Sequence, residues 1–252
     1  MTSRNAIAKT PERTGRFRLP EPPPREPDEM TSYDQLHKPG APPMLISHFA
    51  APETTLVVAE RWIVANPEFN RAQARRPDLL IAFGVKPQLY DDHKGYIISE
   101  QGKPPDFVLE VASESTAEAD VGEKRAYYES LGIREYWRFD ETGEYHGERL
   151  AGERLVAGRY QAIVIEEVAD GVLQGYSEAL DLYLRWERGR LLWIDPATGA
   201  PLLFYADQRE RAEEQGARAD REREARIQEQ ARAEAAEARV QELEAELRRR
   251  NG

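Results

Sequence analysis

The stretch "FVLEVASESTAEADVGEKRAYYESLG", residues 107–132, constrains the fold more than any other part of this chain. Its opening six residues are apolar or small on both alternating faces except at one position, the pattern of a strand covered from both sides. Phe107, Leu109 and Val111 point one way, and Val108, Glu110 and Ala112 the other. An unpaired ionised carboxylate there costs on the order of several kcal/mol, so Glu110 needs a partner. The period then changes. Ser115 with Glu118 three residues on has capping-box spacing, and Gly132 is a natural left-handed stop, which predicts a helix from about Thr116 to Leu131. Its inward stripe reads Ala117, Val121, Lys124, Tyr128 and Leu131, with Glu123 and Arg125 facing outward. Lys124 therefore interrupts an apolar face 14 residues after Glu110 interrupts an apolar strand. A helix that folds back over the preceding strand lets the two answer each other.

Asp78 is a third misplaced charge. It follows Pro77 at the mouth of "LLIAFGV", a short apolar run that reads as a buried strand. Two carboxylates on neighbouring buried strands with an ammonium nearby can hold a hard divalent cation, Mg²⁺ or Mn²⁺, and a nucleophilic water. The lysine could orient the water, help to deprotonate it, or stabilise charge developing on a phosphate. The absence of cysteine and the scatter of His37, His48, His93 and His146 argue against zinc. Taken singly, each residue has a plainer account: Asp78 as a turn aspartate, Glu110 as an edge-strand residue facing water, Lys124 as a side chain whose ammonium reaches out along the helix edge. Glu60 in "ERWIVANP" reads as the polar half of a strand alternation in preference to a further acidic ligand. Tyr136 and Trp137 in "REYWRF" read as packing residues.

Around this unit, "TLVVAERWIVA" (55–65) reads as a strand or hairpin and "REYWRFD" as a strand. "ERLVAGRYQAIVIEE" reads as a hairpin, and "DLYLRWERGRLLWIDPATGAPLLFY" as another with turns at "ERGR" and "DPATG". Nine of the 17 prolines precede residue 44, and residues 1–28 are expected to be disordered because they carry too little apolar surface to offset their ordering entropy. Residues 29–205 form the expected α/β domain. Residues 206–252 are Ala/Glu/Arg-rich and expected to be helical, either as a solvated single helix or as a weak coiled coil with Val240, Leu243 and Leu247 as its seam. No apolar run is long enough for a membrane span, and the expected compartment is cytoplasmic.

"RPDLLIAFG", "GYIISEQGKPPDFVLEVASEST" and "DVGEKRAYYESLGIREYWRFD" together closely resemble the Uma2 family, also called DUF820, of PD-(D/E)XK-superfamily endonucleases, over about residues 40–205. The resemblance implies a restriction-endonuclease-like mixed sheet flanked by helices, here with extra β-hairpins and a C-terminal charged helix. It also implies metal-dependent phosphodiester hydrolysis. Asp78 matches the aspartate after proline, and Glu110 the acid of the second strand, with a backbone carbonyl near Val111 as a further metal ligand. The superfamily's common lysine position holds Ala112, and the family supplies its lysine from the following helix, here Lys124. Asp120, one turn earlier, is placed to hold Lys124 or to form an ordinary surface pair with it. Ser113 and Ser115 match the family's serines and read as strand-end and cap residues.

Charge bears on the partner. The net charge is −11, and about −9 of it lies before residue 207, the wrong sign for gripping nucleic acid by bulk electrostatics. "RAQARRPD", with Arg71, Arg75 and Arg76, is the best candidate for a local basic cleft, beside its plainer account as a solvated loop. Two functions follow: an endonuclease acting on nucleic acid, DNA as expected, or a non-catalytic protein-interaction module. The latter would use its acidic surface and helical tail, which could also support a homodimer.

Overall fold

The computed structural model describes residues 17–24, 34–38 and 40–203, with isolated positions 221, 223, 226, 228, 230 and 249. The chain divides into two units, Met1–Leu202 and Leu203–Gly252. The isolated positions of the second unit are helical and exposed. The coiled-coil seam at Val240, Leu243 and Leu247 lies outside the described residues. No helix among the described residues is long and apolar enough to cross a membrane.

In chain order the strands are β1 (Thr55–Val58), β2 (Ile63–Val64), β3 (Leu79–Phe83), β4 (Tyr96–Ile97), β5 (Phe107–Val111) and β6 (Glu135–Phe139). They continue with β7 (Leu150–Val156), β8 (Arg159–Ala162), β9 (Ile165–Ala169), β10 (Val172–Ser177), β11 (Leu182–Glu187) and β12 (Arg190–Ile194). The helices are α1 (Ala41–Phe49), α2 (Pro87–His93), α3 (Ile98–Gln101) and α4, which comprises Ala117–Ala119, a π-turn Asp120–Lys124, and Arg125–Ser130.

A six-stranded mixed sheet runs β1-β3-β5-β6-β7-β8, antiparallel throughout except for the parallel pair β5 and β6. Parallel neighbours need a crossover, and α4 supplies it. This brings α4 back over the strand that precedes it, as the sequence predicts. On that face Val108 packs with Leu80, Ala82, Tyr128 and Tyr136. On the opposite face Phe107 stacks on Trp137, with ring centroids 6.4 Å apart, and meets Trp193 of β12 at 6.0 Å. The second layer is an antiparallel sheet, β12-β11-β10-β9. Gly152 and Gly175 admit the Trp137 ring between the layers, since a Cβ on either would come within 2.9 Å of it. The architecture is the mixed sheet flanked by helices, with added hairpins, that the resemblance implies.

Three local expectations change. The second arm of "ERLVAGRYQAIVIEE" ends at Ala162, and Ile165 onward joins the other sheet, because β9 finds its partner in β10. Glu60 lies between β1 and β2 in left-handed backbone (φ 62°), so it belongs to a turn and not to a strand alternation. Within the stretch 1–28, residues 17–24 lie against the domain: Leu19 is buried and its N–H donates to the His93 carbonyl at 2.8 Å. One buried leucine and the ladder-like backbone bond offset the ordering that the prolines already reduce.

Candidate active site

The register of β3 and β5 positions the acidic pair. Leu79 faces Leu109, so the same antiparallel register, continued by one residue, sets Asp78 across from Glu110. Asp78 is buried, and its Oδ2 accepts the Val111 N–H at 2.8 Å, which ties the end of one strand to the other. Glu110 is 1% exposed. Its Oε2 accepts from Lys124 Nζ at 3.0 Å and its Oε1 from the Tyr128 hydroxyl at 2.6 Å. The helix therefore answers the misplaced strand carboxylate with two donors one turn apart.

The π-turn sets which residues of α4 face inward. A π-turn accommodates one more residue per turn than an α-helix. Val121, expected in the buried stripe, is 42% exposed, and Asp120 takes the inward place at 0%. Asp120 Oδ1 lies 2.6 Å from Lys124 Nζ, so the expected pairing forms, but buried and not at the surface. Oδ2 of Asp120 accepts from Thr116 Oγ1 at 3.0 Å and lies 3.1 Å from His146 Nε2, and its carbonyl accepts the Tyr136 hydroxyl at 2.8 Å. The helix starts with Thr116 as N-cap and without a side-chain cap bond, so the Ser115–Glu118 capping box does not form. Ser113 instead pairs its hydroxyl with Thr116 at 2.8 Å.

Three buried carboxylates thus surround one ammonium. Burial pushes the Glu110 carboxyl up to about 8; Lys124 opposes this, while Asp120 and Asp78 add to it. For Lys124, burial works against the charge, but Glu110, Asp120 and Asp78 outweigh it and raise the ammonium above its ordinary value. Burial would also raise Asp120, yet His146 and Lys124 hold it below the usual carboxylate range.

His146 gave no signal in the sequence, because the loop that carries it has no periodicity. Buried Asp140 shapes that loop by accepting the backbone N–H groups of Thr142 (3.1 Å) and Gly143, Tyr145 and His146 (each 2.8 Å). Burial raises the Asp140 carboxyl, but these backbone donors prevail and hold it below the ordinary aspartate value. Asp140→Ala should cost about 3 kcal/mol, two charge-assisted hydrogen bonds' worth, measured by urea unfolding at pH 7. Because its folded pKa is depressed, this contribution is present above the ordinary value and is lost as pH falls through the folded one, so Asp140→Asn should flatten the acid limb of the stability curve.

Asp78 and Lys124 reach the wall of a cleft of about 220 Å³, which Arg71, Arg75, Arg76 and Trp62 also line. The loop "RAQARRPD" is therefore a cleft wall. Arg75 is a brace: it donates to the carbonyls of Ala72 (3.0 Å) and Ala74 (2.8 Å), bonds Glu123 and lies 4.7 Å over the Tyr127 ring. Glu60 stands apart, 3.6 Å from His37. Tyr136 and Trp137 are fully buried packing residues, as expected.

The mixed sheet and its crossover helix form the restriction-endonuclease-like fold, with two strand acids beside a helix lysine. The model of the Uma2 family, described as "Putative restriction endonuclease", matches residues 45–185, more than half of the chain, and the chain belongs to that family. A similar solved structure is that of "a putative nuclease belonging to DUF820" from Anabaena variabilis, 12% identical, with a TM-score of 0.36, covering 60% of this chain and 77% of that one. No curated protein matches the chain.

Proposed function

We propose that the protein is a Mg²⁺- or Mn²⁺-dependent endonuclease that hydrolyses phosphodiester bonds of DNA. The observation that carries this is Lys124, held between Glu110 and Asp120 at 3.0 and 2.6 Å while reaching the wall of the cleft that Asp78 also lines. Asp78 and Glu110 offer the carboxylate oxygens that a hard divalent cation prefers, on strands whose register sets them across from each other. No group of three His, Cys, Asp or Glu residues suited to a metal occurs among the described residues. Asp78, Glu110 and the Val111 carbonyl would hold the ion, with water and substrate completing its shell, the habit of Mg²⁺. When bound, the ion supplies Lewis acidity toward a phosphoryl oxygen and a more acidic water.

The remaining work falls to the chain. The Val111 N–H fixes Asp78, and the Tyr128 hydroxyl fixes Glu110. Lys124 has three N–H donors and spends two on carboxylates, leaving one to donate to charge that develops on the phosphate. Asp120 holds the ammonium in place, and His146 in turn holds Asp120.

Nicking of supercoiled plasmid tests this. Wild type should nick with Mg²⁺ or Mn²⁺, and EDTA should stop it. Asp78→Asn, Glu110→Gln and Lys124→Met should each lose about two to three orders of magnitude. The second function, a protein-interaction module, draws on the net charge of −11. A folded wild type that cuts neither DNA nor RNA with either ion decides for that module.

A further inference from the structure

Trp62 is 6% exposed and forms part of the cleft wall, yet its Nε1 is buried without a hydrogen-bond partner among the described residues. Indole N–H only donates, so what it lacks is an acceptor. Buried polar groups left unpaired are uncommon, and one beside a cleft points to something that enters the cleft. The neighbouring groups are donors as well. The Arg71 guanidinium carbon lies 5.8 Å from the centroid of the Trp62 ring, and Arg76 lines the same wall, with one N–H given to the Pro23 carbonyl at 2.8 Å. Arg75 is already engaged by Ala72, Ala74 and Glu123. Against these donors the wall carries a single carboxylate, Asp78, whose Oδ2 is turned to Val111. On a chain with a net charge of −11, this wall gathers three arginines.

We propose that this cleft binds a backbone phosphate of the nucleic acid adjacent to the one that is cut, through Trp62 Nε1–H, Arg71 and Arg76. Guanidinium groups and an unpaired N–H gathered on one wall suit phosphate, which Arg recognises by paired hydrogen bonds. The cleft, of about 220 Å³, has room for a phosphate group. Such a contact sets the register of the strand against Asp78 and carries no sequence information. The inference rests on the nuclease reading for the identity of the polymer, while the phosphate site stands on the cleft itself.

The test is anisotropy of a labelled 20-nucleotide DNA, single-stranded and duplex, titrated with the full-length protein in EDTA at several salt concentrations. Trp62→Phe keeps an aromatic ring and removes the donor; the smaller ring lowers the melting temperature, and binding, read well below that temperature on the folded variant, should weaken about tenfold. The pair Arg71→Gln and Arg76→Gln should weaken binding uniformly across sequences and lower the salt slope by about one, one phosphate's worth. Trp62→Phe and the arginine pair binding as tightly as wild type, with the same salt slope, would overturn the site while leaving plasmid nicking by wild type untouched. Weakened binding in both variants with no nicking by wild type would sustain the phosphate site and remove the catalytic reading. A wild type that binds neither oligonucleotide overturns the site.

Discussion

Lys124→Met is expected to lower the unfolding free energy of the metal-free protein by about 3–5 kcal/mol, the cost of leaving buried charge without its partner. The side chain is 16% exposed and faces two carboxylates that are 1% and 0% exposed. Removing the ammonium leaves Glu110 with Tyr128 alone and Asp120 with His146 and Thr116. Glu110→Gln added to Lys124→Met should recover a large part of the loss, a coupling that a double-mutant cycle in urea reads directly. The deficit also has a pH signature. A carboxyl whose folded pKa is raised contributes stability that is complete below the unfolded value and is lost as pH rises through the folded one. Burial sets Glu110 near 8 with Lys124 opposing it, and without the ammonium ionisation becomes harder still. The gap between variant and wild type should widen above about pH 8. A deficit below about 1 kcal/mol, the range of surface pairs, would show that the pair is not buried in solution.

Trp137→Ala should cost about 3–5 kcal/mol and lower the melting temperature by roughly 10 °C in a single transition. The ring is fully buried between the two sheets, against Gly152 and Gly175, and its Nε1 donates to Glu135 Oε2 at 3.0 Å. Glu135 also accepts from Ser177 Oγ at 2.5 Å and the Ala179 N–H at 3.1 Å, so the truncation loosens a buried polar joint as well as the packing. Leu109, the residue before Glu110, faces Trp137 across the parallel pair, so nicking should fall with stability. Two separate thermal transitions would mean that the sheets fold independently.

Much of this was legible because the site residues violate the patterns around them. A carboxylate in a two-sided apolar strand and a lysine in an apolar helical stripe are visible in one sequence, and their pairing follows from the length of the connection. The capping box was legible too and misled, since Thr116 spends its hydroxyl on Asp120 and Ser113 and not on a cap. The burial of Asp120 and the part played by His146 were hidden for different reasons. An α-helical period puts Val121 inside, and only the π-turn exchanges it for Asp120. His146 reaches Asp120 from 26 residues away, on a loop shaped by main-chain bonds to Asp140 that leave no trace in side-chain spacing. Each hairpin was visible by itself, but which sheet β9 joins depends on the partner that β10 offers.

The exchange of Val121 for Asp120 also bears on how this chain could change over generations. A helix that exposes a valine and buries an aspartate is a poorer helix than its own sequence allows, and a one-residue deletion within 120–124 would return it to the ordinary period. Lineages or laboratory libraries selected only for heat resistance should therefore drift toward such deletions, while those selected for cutting should keep all five positions. Deep sequencing after each selection would separate what the fold prefers from what the site demands.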